Sequence, residues 1–135
     1  MPMQVSYPID SADAIQAWLN DHGVHACAEP LPYDLTDELP ITLVQSIGGS
    51  RTVRILDRHA VRLYTWAESY EDAMAECGRA LAVLETAEGN RIGDAPCYRV
   101  APTSLPYPAH DPSHPDIPRV GTTLDVYARA VTTEQ

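Results

Sequence analysis

The sequence predicts an α+β domain: an antiparallel sheet of about four strands with two helices on one face, in the order α-β-β-α-β-β. Three features predict it. Two stretches, opening near Asp10 and at Ser69, place apolar residues at helical spacing behind a capping side chain. Residues 59–67 and 119–131 alternate apolar with polar positions, as half-buried strands do. Between Leu39 and Glu85 the chain reads strand–strand–helix, which supplies a sheet together with the helix to cover it.

Residues 1–9 are expected as a loose arm. Asp10 or Ser11 caps a helix running to about Asp21, with Ile9 and Ala14 placed as a hydrophobic staple. Ile15, Trp18 and Leu19 share its apolar face, and Gly23 suits a left-handed stop. The acidic, proline-rich run from Glu29 to Pro40 reads as an extended connector. A strand follows to Ile47, with Ile41, Leu43, Gln45 and Ile47 on one face and Thr42, Val44 and Ser46 on the other. Gly48-Gly49 then allows positive φ and is expected as a sharp exit.

Arg51, Arg54, Arg58 and Arg62 come next, within twelve positions. They read either as a solvated face or as a contact arm for the acidic half of a neighbouring copy. In the strand from His59 to Ala67, Val61, Leu63 and Thr65 face one way, while Arg62, Tyr64 and Trp66 face the other. The aromatic face is covered either within the monomer or by another subunit. From Ser69 a helix with a Ser69/Asp72 capping pattern runs through Leu84, burying Tyr70, Ala73, Met74, Cys77, Leu81 and Leu84. Gly89-Asn90 ends that element. Tyr98–Ala101 is a short strand, Thr103–Pro118 a proline-crowded loop, and Arg119 to about Val131 the most regular strand of the chain.

The 135 residues, 44% of them apolar, fit a single domain spanning 1–135 with a packed interior. Phe and Lys are absent, so every basic side chain is Arg. Net charge is −10, and residues 1–50 carry no Arg. That balance disfavours stable nucleic-acid binding and leaves DNA at most passing over a surface. Cys27, Cys77 and Cys97 have no paired spacing, so neither a zinc knuckle nor a disulfide framework is expected. Without a secretory leader or a run long enough to span a bilayer, the expected setting is cytoplasmic with reduced thiols and no membrane.

His110, Asp111, His114 and Asp116 lie within seven positions and have the side chains of a divalent-metal site. They sit among prolines, with no helix to orient them, so a solvent loop or a contact loop is the preferred reading. No phosphate loop and no nucleophile elbow is present. The expectation is a chain without catalytic residues, metal or cofactor: not an enzyme.

The run Pro40-Ile-Thr-Leu-Val-Gln-Ser-Ile-Gly-Gly-Ser-Arg51, then Asp57-Arg58 leading to Tyr64-Thr-Trp-Ala67, resembles the tail terminator family of long-tailed phages and prophages. These are also called tail completion or minor tail proteins. The alanine-rich helix opening Ser69-Tyr-Glu-Asp-Ala73 and the closing strand Gly121–Ala128 extend the resemblance over about residues 10–130. The resemblance implies a structural virion subunit that forms a ring, usually a hexamer, on the finished tail tube. Such a ring offers the surface to which the filled head is joined. It implies as partners further copies of the chain, the tail tube protein and head–tail connector proteins, with DNA only passing through. The location implied is the host cytoplasm during assembly and then the virion tail. Arg51, Arg54, Arg58, Arg62, Tyr64 and Trp66 are the expected subunit-contact residues. Two other readings remain open: a head-completion or neck protein, and a small metal-dependent hydrolase built on the His110–Asp116 cluster.

Overall fold

The structure is a computed structural model that describes residues 2–134. It corrects the expected fold class. The described residues form nine strands and only two α-helices, so the chain is mostly β. The order is β1 (Gln4–Tyr7), α1 (Ser11–Asp21), β2 (Ala26–Cys27), β3 (Ile41–Val53), β4 (Leu56–Trp66), α2 (Tyr70–Glu85), β5 (Arg91–Ile92), β6 (Ala95–Pro102), β7 (Tyr107–Pro108), β8 (Arg119–Arg129) and β9 (Val131–Glu134). Seven strands make one curled mixed sheet, β2-β3-β4-β8-β6-β5, with β7 also paired to β8. The β2–β3 pair is parallel and the other pairs are antiparallel. A four-strand α-β-β-α-β-β sheet does not form. Strands of two residues carry no readable period, and pairing between the chain ends has no local signature.

That second cause is seen in the expected loose arm. Gln4–Tyr7 pairs antiparallel with Val131–Glu134, and the Ser6 and Thr132 hydroxyls are hydrogen-bonded at 2.8 Å. Met1, the first residue of that arm, lies outside the described residues.

Both helices start where their caps put them. The Asp13 amide donates to the Asp10 carboxylate and the Asp72 amide to the Ser69 hydroxyl, each satisfying an orphan donor of a first turn. Helix α1 closes with Gly23 at φ +82, where the Gly23 and Val24 amides reach back to Asn20 and Leu19. These are the paired bonds of a left-handed helix stop. Ile15 and Leu19 from α1 and Leu81 and Leu84 from α2 meet Val44, Val61, Leu63, Leu124 and Val126 in one core.

The expected stripe on α2 is corrected at its start. Ala73, Cys77, Ala80, Leu81 and Leu84 are buried, but Tyr70 is 44% and Met74 39% exposed. Ala73 packs there against Ala67 and Val120, and Tyr70 and Met74 stand at the margin of that contact.

Gly48 and Gly49 have positive φ, +106 and +137, yet the strand does not exit there. It bulges, with a register shift between Ser46 and Gly49, and continues to a hairpin at Arg54-Ile55. A bulge and a turn need the same backbone freedom, so the glycine pair does not distinguish them. A Cβ on Gly49 would lie 1.9 Å from the Arg58 carbonyl oxygen, which is why only glycine fits.

Candidate functional site

The helices cover one face of the sheet, and residues of opposite parity on β4 and β8 form the other. Part of that second face is closed by the connector and the proline-rich segment. Trp66, Ile41, Leu43 and Leu35 make a small separate core there, with Leu31, Leu39 and Ile117 against it. Trp66 is 1% exposed, and its indole N–H donates to the Asp111 carboxylate at 2.9 Å. The expectation that Trp66 anchors a neighbouring subunit is thereby corrected: its partner is in its own chain.

The other expected contact residues are also largely engaged internally. Arg51 forms a forked pair with Asp57, which is 5% exposed and whose carboxyl is held below its usual range, chiefly by the Arg51 hydrogen bond. Arg58 pairs with Asp125 at 2.9 Å, and Arg62 donates to Gln45 at 3.0 Å while stacking over Tyr64 at 4.8 Å. Half-buried Tyr64 is faced by a second guanidinium, that of Arg119, at 4.0 Å. Arg54 differs. It is exposed at the hairpin turn and makes no ion pair among the described residues. The sequence shows four equivalent arginines, whereas the fold satisfies three and presents one.

Farther along the uncovered face the register aligns Ser50, Arg58, Tyr127 and Arg99 in one row across four strands. Arg99 lies 5.9 Å above the Tyr127 ring. Arg129 stands in the next row, opposite Leu56. Nothing in the sequence sets Arg99, Tyr127 and Arg129 apart. Their alternation along β6 and β8 places them on the polar side, but only strand pairing brings them to the hairpin.

The edge of β3 is open. Beyond the short parallel pair with β2 it is hydrogen-bonded only to β4, and every residue from Ser46 to Val53 is exposed. Ile47 is 47% and Val53 61% exposed. A groove of about 690 Å³ separates this edge from Ser6–Ser11. His59 lies at its floor, 7% exposed, with Nε2 lacking a partner among the described residues. Burial pushes its pKa down, partly offset by Asp57, so the ring is neutral near pH 7.

The His110–Asp116 cluster does not converge on a metal. Among the described residues no three His, Cys, Asp or Glu side chains approach in that way. Asp111 and His114 do meet, Nδ1 donating at 2.9 Å, in a cleft of about 590 Å³ that also touches Tyr64 and Arg119. Asp111 also accepts from the Trp66 indole and the Ser113 amide. Arg119 donates to the Ala109 and His110 carbonyls. These groups are occupied in fastening the proline-rich segment to the sheet. Thus the segment expected as a solvent or contact loop is a clamp over the second core, and the ligand set of the hydrolase reading is not assembled among the described residues.

Cys77 and Cys97 are buried and Cys27 is half-buried, all three as free thiols. No helix among the described residues is long and apolar enough to cross a membrane.

Geometry therefore defines a mostly-β chain with an open, partly apolar strand edge and a basic hairpin tip on an otherwise acidic molecule. No family model matches the chain, and no curated protein matches it.

Proposed function

We propose that this chain is a structural, non-enzymatic subunit of the tail-terminator kind. It associates head to tail into a closed ring, a hexamer as the resemblance implies, on the end of a phage tail tube. The ring stops the tube and offers the surface for connector proteins and the filled head, with DNA only passing through. Assembly takes place in the host cytoplasm, and the product remains in the virion tail.

The observation that supports this reading is the open edge of β3. A long exposed strand edge is a template for pairing with another chain, and folded proteins normally blunt one with charges, Pro, bulges or a cover. Here Ser46–Val53 contains no Pro, its one charged side chain, Arg51, is turned to Asp57 of its own chain, and Ile47 and Val53 are displayed on either side of the Gly48-Gly49 bulge. Adding a neighbour's backbone would satisfy the edge and bury that apolar surface. On the β5–β6 side the outermost strand is only two residues long, and the Val100 amide next to it is taken by the Glu88 carboxylate at 3.0 Å. Unlike surfaces join heterologously, and heterologous contacts close into rings when the rotation permits.

Light scattering across a concentration series, with electron microscopy of the same sample, tests the proposal. Closed rings of uniform size, alone or on added tube ends, are expected. A chain that stays monomeric in both settings refutes it.

A further inference from the structure

We infer that the tip of the β3–β4 hairpin of one copy seats on the bare flank of α2 of the next. The inference rests on the ring reading and adds to the β3 edge, of which this tip is the end, a second contact between neighbouring copies.

The tip combines apolar and cationic groups. Val53 is 61% exposed, Ile55 and Leu56 are half-buried, and Arg54 and Arg129 are exposed beside them. Arg129 is opposite Leu56, which is opposite Val53, so the group spans three adjacent strands. Neither Arg54 nor Arg129 makes an ion pair among the described residues.

Helix α2 has one side occupied and one side bare. Helix α1 lies along the occupied side, where the Trp18 indole donates to the Val83 carbonyl at 3.0 Å and Arg79 donates to the Gly23 carbonyl at 2.7 Å. On the other side are Tyr70 and Met74, 44% and 39% exposed, with Glu71 exposed beside them and Glu85 exposed on the same side about 16 Å farther along the helix. Gly78 lies between, and a Cβ there would meet nothing within 4 Å. The flank is thus an aromatic and thioether surface with a shallow step, rimmed by two carboxylates without ion-pair partners among the described residues.

The two surfaces complement each other in charge and in apolar character, with an apolar centre and a charged rim on each. They also lie toward opposite ends of the molecule: the tip is at the Leu56 end of β4, whereas Tyr70 and Met74 open α2 just past its Trp66 end. A contact between them is head to tail and leaves each copy with one tip and one flank to pass on. With a net charge of −10, a nucleic acid is a poorer occupant of the tip than the acidic flank of another copy.

Charge exchange tests this. Arg54→Glu/Arg129→Glu and Glu71→Arg/Glu85→Arg alter exposed side chains only, and circular dichroism verifies folding. Each variant alone is expected to assemble at least about tenfold more weakly than wild type. An equimolar mixture is expected to recover assembly, because alternation restores every contact in an even-numbered ring. As a second readout, Val53→Cys and Met74→Cys chains, mixed and oxidised, should form a covalent dimer that neither chain forms with itself. Variants that assemble like wild type, or an absent mixed cross-link in a wild-type background that forms rings, overturn this contact and leave the ring reading standing. A wild type that never assembles overturns both.

Discussion

Replacing Asp111 by Ala should destabilise the chain by about 3 kcal/mol, mostly through one orphaned indole. The carboxylate is 5% exposed and accepts from the Trp66 indole, the His114 ring and the Ser113 amide, each at 2.9 Å, with Arg119 at 4.0 Å. After truncation His114 and Ser113 rehydrate cheaply, because both reach solvent. Trp66, 1% exposed, does not, and a buried donor left unpaired costs about 1–3 kcal/mol. Loss of the charge-assisted bonds contributes the remainder. Asp111→Asn keeps an acceptor for the indole and should cost only about half as much. Trp66→Phe removes the donor, so the double variant Trp66→Phe/Asp111→Ala should cost less than the two single losses added, with a coupling of about 1–2 kcal/mol. Urea unfolding followed by circular dichroism measures all four forms. Asp111→Ala within about 0.5 kcal/mol of wild type, or strict additivity with Trp66→Phe, would refute the clamp. The acid limb gives an independent reading. Burial raises the Asp111 carboxyl, but the bonds from His114, Trp66 and Ser113 and the Arg119 charge together bring it below 3.8. Its contribution is therefore complete above that value and lost as pH falls through the folded pKa, a loss that Asp111→Asn should lack.

Three further outcomes are expected. Gly49→Ala should cost more than about 3 kcal/mol, since its Cβ would strike the Arg58 carbonyl, whereas Gly48→Ala, with open space around it, should cost only about 1–2; equal urea midpoints would contradict the bulge geometry. His59 has a folded pKa lowered below 6.5, so the unfolded chain takes up its proton first and stability declines as pH falls from that value. His59→Leu should flatten the decline between pH 7 and 5 without loss at pH 7, and an unchanged pH profile would count against it. Burial pushes the Cys77 thiol up to about 11, so a thiol reagent should label it only at the rate at which α2 opens; labelling as fast as in urea would show that the helix is turned outward.

Local rules made part of this fold legible. The caps at Asp10 and Ser69, the stop at Gly23 and the alternation of β8 are each encoded within a few residues, and each lies where it was expected. What the sequence hid depends on distant partners. The edge from Ser46 to Val53 looks like the end of a strand because a bulge uses turn residues. The pairing of Gln4–Tyr7 with Val131–Glu134 joins the two ends of the chain, and β2, β5 and β7 are too short to show a period. The parity of β4 correctly separates Trp66 from Leu63, but parity does not tell which loop arrives to cover an aromatic residue. Arg51, Arg54, Arg58 and Arg62 look alike in one dimension, and only the positions of Asp57, Asp125 and Gln45 distinguish the engaged three from the presented one. Likewise Tyr70 and Met74 fit the helical stripe, and only the packing of Ala73 and Cys77 against Ala67 and Val120 shows which part of it is covered.

The central claim, that this chain is a ring-forming subunit, is tested most directly by the mass of the assembled species. Light scattering on the wild-type chain, with and without tail-tube ends, should give one closed species of fixed subunit number, with a central hole visible in the electron microscope. Rising salt should weaken association in part, since screening acts on the charged rim and not on the apolar centre. A monomer at every concentration, tube ends included, or an open polymer of indefinite length, would contradict it.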